Sequence, residues 1–147
     1  TRGTIIMHHV FAAYEPAEER DLAMAAHGSL VAYEDGASTG YAIFMTQERG
    51  AMFIGPGVEV YRGMVIGQNS PDEDLDVNVC KEKHLSNMRA SGTDEALVLT
   101  PPREMTLEFA LEYIGGDELV EVTPQHLRLR KRLLNPDDRR KAKKSGK

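Results

Sequence analysis

The chain has 147 residues, of which 41% are hydrophobic and 28% charged, and its formal net charge is −5. These values are typical of one globular domain and argue against a disordered chain. No apolar run approaches the roughly 18 residues that a membrane span needs. Because no secretory signal opens the chain and its single cysteine, Cys80, excludes an internal disulfide, we expect a cytoplasmic protein with no membrane partner.

Charge is unevenly distributed along the chain. Residues 1–80 carry 4 Lys/Arg against 12 Asp/Glu, a net charge of −8, whereas residues 126–147 carry 10 against 2, a net charge of +8. A basic region on an acidic domain is typical of nucleic-acid binding, although a solvated basic tail has the same composition. Charge alone leaves both interpretations open.

The N-terminal part of the chain predicts strands. Gly3–Ala13 is rich in β-branched and aromatic residues, which predicts a buried strand. Because the chain opens at this run without an initiator Met, we expect it to be a piece of a longer protein. An acidic, Ala-rich connector follows, and Ser29–Glu34 then predicts a strand that enters a turn at Asp35-Gly36.

The middle of the chain predicts short strands and one long irregular segment. Tyr41–Gly50 fits either a strand or a short helix, and the apolar runs between Ala51 and Gly67, broken by Gly and Pro, predict small strands. Asp74–Cys80 alternates as a half-buried strand does. The next segment, Lys81–Glu95, called the excursion below, has neither a helical nor a strand period. Loops longer than about 12 residues are usually functional or disordered, so it is a candidate functional segment.

One helix is well specified by the sequence. Thr106 is a predicted N-cap, and the glycines after Ile114 end the helix. Its predicted apolar face consists of Leu107, Ala110, Leu111 and Ile114.

The last part of the chain predicts a hairpin and a basic helix. Residues 118–123 and 126–134 predict the two strands, the second with leucines on one face (Leu127, Leu129, Leu133) and arginines on the other (Arg128, Arg130, Arg132). Asn135 and Pro136 then predict the start of a helix that has no apolar face, which we expect to fray.

Motifs of self-contained enzymes are missing from the sequence. It has no GxxxxGK[ST] phosphate loop, GxSxG, CxxC or HExxH motif. Cys80 and His84 have a spacing that two zinc ligands can have, but only His27 offers a further ligand, and a structural site needs four. We therefore expect no catalytic, cofactor or metal site in this chain.

Two features indicate RNA binding. Arg128, Arg130 and Arg132, called the arginine row below, stand roughly 6.6 Å apart at about 3.3 Å rise per residue, and each guanidinium matches phosphate oxygens. The alternative is that these arginines pair with Glu118 and Glu121 across the hairpin.

The second feature is the composition of the excursion, which combines charged groups suited to phosphates with polar groups suited to ribose or base edges. Neither the excursion nor the arginine row contains aromatic side chains on which single-stranded bases could stack. The expected target is therefore folded RNA, recognised mainly through its sugar–phosphate backbone. The predicted RNA-binding residues are Lys81, Lys83, His84, Asn87 and Arg89 in the excursion, Arg128, Arg130, Lys131 and Arg132 in the hairpin, and Arg139, Arg140 and Lys141 in the tail.

Several long motifs carry a resemblance to a known family. They include QERGAMFIGPGVEVYRGMVIG, DLDVNVCKEKHLSNMRASGTDEALVLTPP and MTLEFALEYIGGDELVEVTP, of which NMRASGTDE is the most specific. On these residues the chain resembles, essentially end to end, the C-terminal part of the TypA/BipA family of translational GTPases.

The resemblance implies an α+β, mainly β fold: a small mixed β domain with short helices and a C-terminal β-hairpin, preceded by one strand of a truncated ferredoxin-like domain. Residues 1–17 would be the last strand of an elongation-factor-G-like domain V, 18–27 a connector, 28–134 the family's C-terminal domain and 135–147 a basic helix or tail. GTP and Mg²⁺ would belong to a GTPase domain that this chain lacks, so no cofactor is expected here.

The resemblance also implies a function in ribosome assembly and stress-responsive translation. The implied partners are the ribosome, large-subunit rRNA and the acceptor end of A-site tRNA, with the excursion reaching toward the peptidyl transferase centre; no DNA partner is implied. The alternative is a protein-interaction domain that docks on a ribosomal protein or on the parent's other domains.

Overall fold

The computed structural model describes residues 10–13, 27–82 and 98–145. Within these ranges the fold is α+β and mainly β, which confirms the predicted class. None of the helices described is long and apolar enough to cross a membrane. The strands are β1 (Gly28–Ala32), β2 (Gly36–Ala37), β3 (Gly50–Met52), β4 (Glu59–Val60), β5 (Met64–Asn69), β6 (Leu75–Val77), β7 (Glu118–Val122) and β8 (Leu127–Lys131), and the helices are α1 (Gly40–Gln47), α2 (Leu107–Tyr113) and α3 (Pro136–Ser145).

Strand β5 is the centre of the main sheet, whose order is β6-β1-β5-β8-β7. One edge of β5 pairs antiparallel with β1, and the other is shared by β3 at Gly67–Asn69 and by β8 at Met64–Val65. Strand β6 pairs with β1 in parallel, and β2 and β4 form a separate two-stranded sheet. A β-bulge in the β1–β5 pair falls between Leu30 and Val31.

Apolar residues cover both faces of the main sheet. On one face, called the α1 side, Leu30 and Ile66 join a core that includes Ile43 of α1. On the opposite face, called the α2 side, Leu129 joins a core that includes Tyr113 of α2. All five residues of β1 are buried because both of its faces are covered, and such a strand shows no alternation in sequence.

The segment that periodicity leaves undecided, Tyr41–Gly50, forms helix α1 and then β3. Thr39 caps the helix, since its side chain accepts a hydrogen bond from the backbone N–H of Ala42 at 3.1 Å. This Thr follows a run of turn-forming residues, and such a polar cap is a local signal that hydrophobic periodicity does not contain.

The predicted N-cap of the second helix is confirmed, because the Thr106 hydroxyl accepts from the backbone N–H of Phe109 at 3.2 Å. The predicted apolar face is partly wrong. Ala110 and Tyr113 are buried, whereas Leu107 and Leu111 are 49% and 59% exposed. The buried stripe of α2 is therefore rotated toward its aromatic residues, which pack on Phe53 of the sheet.

The predicted hairpin is confirmed as β7 and β8, and the predicted C-terminal helix as α3, in which the Asn135 side chain accepts from the backbone N–H of Asp137. The expectation that α3 frays stays a prediction, but the helix is attached to the domain, because its residues Pro136 and Arg139 are buried. Of the predicted strand Gly3–Ala13, only residues 10–13 are described, and these four form no strand.

Candidate nucleic-acid interface

Two residues of the arginine row lie in β8, and the third follows the end of that strand. Arg128 and Arg130 lie within the strand, half-buried, and Arg130 pairs in register with Met64, a residue of the α1-side core. Directly opposed residues of an antiparallel pair point to the same face, so both arginines are on the α1 side. Arg132 follows the strand, is exposed, and lines a groove of about 270 Å³ together with Lys143 of α3.

The predicted alternative, in which the arginines pair with acids across the hairpin, is not what the structure shows. Arg128 is opposite Glu121 in the strand register, but the Glu121 carboxylate accepts a hydrogen bond from the Tyr61 hydroxyl at 2.5 Å. No carboxylate in the described ranges lies within 4.0 Å of the guanidinium of Arg128 or Arg130. Within the part of the chain that the structure describes, both guanidinium groups thus lack an acidic partner.

Tyr61 is a neighbour of the arginine row that the sequence analysis missed. Burial raises the pKa of its hydroxyl, and the hydrogen bond to Glu121 adds to the rise, outweighing the opposing effect of Arg130. The hydroxyl is therefore a stable donor to the Glu121 carboxylate at neutral pH. The β8 pattern alone gave no sign of this, because Tyr61 comes from a turn some 60 residues earlier.

Lys131 corrects the predicted RNA-binding set, because its ammonium is enclosed by carboxylates. Its side chain is 3% exposed, and Nζ lies 2.7 Å from Asp74, 2.8 Å from Glu118 and 3.1 Å from Asp117. Lys131 shares the α2-side face with Leu129, two residues earlier in β8. We therefore remove Lys131 from the candidate interface.

The surrounding groups complete a buried polar network, called the lysine cluster below. The Ser29 hydroxyl donates to the Glu118 carboxylate at 2.5 Å and lies 3.0 Å from the Tyr113 hydroxyl, and the Ser29 backbone N–H donates to Asp74. The other Glu118 oxygen accepts from the backbone N–H of Gly115 at 2.9 Å. Each buried carboxylate thus has hydrogen-bond partners besides the lysine, as buried charges require.

The pKa values of this cluster follow from that arrangement. Burial opposes the charged form of Lys131, but hydrogen bonds and charge from Asp74 and Glu118 prevail and raise its pKa. Burial likewise opposes the charged form of Asp74, yet Lys131 and the Ser29 N–H hold its pKa below the ordinary value. Burial raises the pKa of Tyr113 to about 12. All of these groups keep one protonation state near neutral pH, which suits a structural role.

Arg139 is also excluded from the candidate interface, because its guanidinium is bound within the domain. Its guanidinium forms an ion pair with Asp76 of β6 and donates to the carbonyl oxygens of Leu133 and Leu134 at 2.9 and 2.7 Å. Asp76 pairs in register with Val31, a residue on the opposite face of β1 from Leu30, so this contact holds α3 on the α2 side.

The other cations of α3 are exposed. Arg140 lies 3.2 Å from Asp137, and Lys141 lies 4.0 Å from Asp138, both within the helix. Such surface pairs contribute little and leave the charges accessible. The helix that carries them is anchored on the α2 side, whereas Arg128 and Arg130 are on the α1 side, so the predicted cations do not form one face.

The described residues next to both ends of the excursion lie on the α1 side of the sheet. Lys81 is exposed, and its carbonyl oxygen accepts from the hydroxyl of Thr39 at the start of α1. The returning chain is bound by Gln47 at the end of α1. The predicted contacts Lys83, His84, Asn87 and Arg89 lie outside the described residues, so of the excursion's predicted contacts the structure places only Lys81.

The described residues contain no group of three or more His, Cys, Asp or Glu side chains that could hold a metal ion. What they do contain is a small, mainly β α+β domain, built on an acidic sheet scaffold, with unpaired arginines at one surface. The fold thus defines a small domain of the α+β class.

Comparison with known proteins identifies the domain. The family model described as the TypA/BipA C-terminal domain matches residues 27–136. The chain therefore belongs to the TypA/BipA family, as its motifs predicted, and contains the C-terminal domain of that family.

Individual relatives agree. The chain is similar to proteins named large ribosomal subunit assembly factor BipA: 47% identical over 147 residues to one from Escherichia coli, covering 100% of this chain and 24% of the relative. Identity is 49% over 131 residues to one from Synechocystis sp., covering 89% and 22%. With one from Buchnera aphidicola it is 44% over 142 residues, covering 97% and 23%. The chain thus spans about a quarter of the length of the curated relatives it matches.

Proposed function

We propose that this chain is the RNA-docking module of a ribosome-associated GTPase that acts in assembly of the large ribosomal subunit. The names of the relatives support the assembly role, and the family supports a GTPase domain in the remaining three-quarters of the parent protein. In this proposal the parent acts in the cytoplasm, in stress-responsive translation as well as assembly.

The observation that carries the proposal is the pair of cations Arg128 and Arg130. Both lack a carboxylate within 4.0 Å in the described ranges, and both lie on the face of the sheet where the excursion begins and ends. Guanidinium groups spaced along a strand suit consecutive phosphates of an RNA backbone. The α1 side is therefore the proposed docking surface, with large-subunit rRNA as its ligand.

In this proposal the excursion makes the site-specific contacts with RNA. We propose that Lys81, Lys83, His84, Asn87 and Arg89 contact rRNA near the peptidyl transferase centre and the acceptor end of A-site tRNA. Arg140 and Lys141 of α3, together with Arg132 beside that helix, supply a second and less specific contact.

The test measures binding of the chain to purified large subunits over a range of salt concentrations. The double variant Arg128→Gln/Arg130→Gln removes two phosphate contacts, so the slope of log K against log salt should become shallower by about 1.4 to 1.8. At 0.1 M salt, each lost contact corresponds to about a fivefold to eightfold weaker affinity.

The matched control is Lys143→Gln/Lys144→Gln, which removes the same charge from the exposed surface of α3. Equal losses in both double variants would show that net charge, and not the α1 side, determines docking. Unchanged binding in the arginine variant would overturn the proposal. Binding that survives nuclease digestion of the subunits would instead indicate a protein partner.

A further inference from the structure

A small surface pocket, called the Tyr33 pocket below, lies where the end of β1, the β4–β5 turn and the start of α3 meet. Its volume is about 190 Å³, and it is lined by Tyr33, Arg62, Asn135, Pro136, Asp137 and Arg140. Pockets that enclose a drug-sized ligand have about 300–1,000 Å³, so this smaller one suits a single planar ring. Of the lining residues, only Arg140 belongs to the RNA-binding set predicted from the sequence.

The side chain of Tyr33 gives the pocket an aromatic surface. Tyr33 follows β1, and its backbone N–H donates to the carbonyl oxygen of Val77 at 2.9 Å, which continues the pairing of β1 with β6. The residue is nevertheless 50% exposed. A ring that is fixed by a sheet and open to solvent is a surface on which an unstacked base can stack.

Arg62 is held beside Tyr33 by two hydrogen bonds. Its backbone N–H donates to the carboxylate of Asp35 at 2.6 Å, and its Nε donates to the carbonyl oxygen of Tyr33 at 3.2 Å. Among the described residues, no carboxylate lies within 4.0 Å of this guanidinium. Its terminal nitrogens can therefore donate to a ligand, and a guanidinium matches the oxygens of a phosphate.

The start of α3 adds a donor and an acceptor to the pocket. The side-chain oxygen of Asn135 accepts from the backbone N–H of Asp137 at 3.0 Å, which leaves the amide nitrogen of Asn135 for a ligand. The carboxylate of Asp137 lies 3.2 Å from Arg140, and these two side chains are 70% and 68% exposed. A carboxylate disfavours a bare anion, but it accepts hydrogen bonds from the amino group of a base or from a ribose hydroxyl.

The Tyr33 pocket is adjacent to both groups of cations in the proposed docking. Arg140 lines it from α3, and Arg62 directly follows Tyr61, the neighbour of Arg130. Sites for free small molecules bury about 70–90% of the ligand, whereas the side chains that line this pocket are largely exposed. A base in an RNA that is already held by the neighbouring cations needs no such enclosure, because those contacts raise its local concentration.

We infer that the Tyr33 pocket binds one unstacked nucleotide of RNA. In this arrangement the base stacks on Tyr33, a phosphate binds Arg62, and the base edge or the ribose binds Asn135 and Asp137. The inference rests on the proposed function, within which it assigns a nucleotide-binding site that is separate from the arginines of β8.

Titrations of the chain with three small ligands test the pocket directly. The probes are AMP, ribose 5-phosphate, which lacks the base, and inorganic phosphate, each followed by heteronuclear NMR at constant ionic strength. Stacking of one base corresponds to about a fivefold to 150-fold gain in affinity, so AMP should bind at least about fivefold more tightly than ribose 5-phosphate. Equal affinities for AMP and either of the other probes would overturn the inference.

Variants test whether the gain comes from the aromatic ring. Tyr33→Phe keeps the ring and should keep the preference for AMP, whereas Tyr33→Ser should abolish it and leave the affinity for ribose 5-phosphate unchanged. A structural role of Tyr33 would lower Tm without changing the ratio of the two affinities, and a preference that survives in Tyr33→Ser would overturn the stacking. Arg62→Gln should weaken all three ligands, whereas Lys144→Gln, which removes the same charge from the exposed surface of α3 outside the pocket, should not.

Base modification on purified large subunits tests whether the nucleotide belongs to RNA. The rRNA of the bound subunits is treated with dimethyl sulfate and a carbodiimide, and the modified bases are mapped by primer extension. The native chain and Tyr33→Phe should protect at least one unpaired base that Tyr33→Ser leaves reactive, while other protected positions stay protected. If AMP binds but no protected base responds to Tyr33→Ser, the pocket takes free nucleotides and the assignment to RNA is overturned.

The outcomes separate this inference from the proposed function. If the native chain binds large subunits but AMP binds no more tightly than ribose 5-phosphate, only the nucleotide pocket is overturned. If the native chain does not bind large subunits, the proposed function fails together with the assignment to RNA, whatever the AMP titration shows.

Discussion

The lysine cluster makes the sharpest prediction about stability. Replacing Lys131 with Met keeps most of the buried volume but removes the cation, which leaves Asp74 and Glu118 without their counter-ion. Breaking a buried ion pair from one side typically costs about 3–5 kcal/mol of unfolding free energy. For a domain of this size the loss corresponds to a fall in Tm of about 12–20 °C.

The unfolding free energy is lost because two carboxylates have no counter-ion. Neutralising both carboxylates should therefore restore part of it. The triple variant Lys131→Met/Asp74→Asn/Glu118→Gln neutralises the lysine and its two least exposed carboxylates, and only the largely exposed Asp117 keeps its charge. The new amides keep acceptors for the Ser29 hydroxyl and backbone N–H. We expect this triple variant to regain at least half of the lost stability, because replacing a whole buried ion cluster is often neutral.

The pH dependence of the same cluster has a defined sign. The lowered pKa of Asp74 contributes stability that is present above its ordinary value of 3.8 and is lost as pH falls through the folded pKa. The raised pKa of Lys131 contributes stability that is present below its ordinary value of 10.5 and is lost as pH rises through the folded pKa. The stability difference between the native chain and Lys131→Met should thus shrink in acid.

The assay is urea unfolding of the 147-residue chain, followed by far-UV circular dichroism at fixed pH. A loss below about 1 kcal/mol for Lys131→Met at pH 7 would refute the reasoning, since it would show that the carboxylates reach water without the lysine. A triple variant less stable than the single one would show that volume, and not charge, dominates.

Two further predictions concern α3 and a turn. Arg139→Gln should lower the helical circular dichroism signal and cost about 1–3 kcal/mol in urea unfolding, because Asp76 loses its ion pair and two backbone carbonyls lose their donor. The exposed Arg140→Gln should cost at most about 0.5 kcal/mol. Gly63→Ala should lower Tm by several degrees, because Gly63 has φ +85° and a Cβ there would lie 2.7 Å from Leu134. Gly40→Ala, where a Cβ meets nothing within 4 Å, should leave Tm unchanged or raise it, and a similar loss in both variants would contradict this explanation.

The sequence predicted most of the elements and the family. It did not predict which of the basic side chains are buried in ion pairs and which are not. The β8 pattern separates leucines from arginines correctly, yet it places Lys131 on the leucine face and gives no reason for a lysine there. The reason is the carboxylate of Asp74, 57 positions earlier, which the β6–β1 pairing brings near. A contact of this kind leaves no local period, so it was invisible to pattern reasoning.

Helix α3 shows the same limit. Its sequence lacks an apolar stripe and so gives no sign of an anchor, but the buried Pro136 and the ion pair of Arg139 with Asp76 attach it. Sequence composition grouped Arg139 with the exposed Arg140 because both are arginines in one basic run. Only the fold distinguishes them, since it places Asp76 beside one of the two.

The position of Lys131 in the chain has a consequence for synthesis. A ribosome makes β1 and β5 long before β8, so a nascent chain that stops short of residue 131 holds the acids of the cluster without their counter-ion and one edge of β5 without its last partner. During synthesis the sheet therefore cannot be completed until the β7–β8 hairpin has been made. Chains truncated within that hairpin should aggregate, whereas chains truncated within α3 should not.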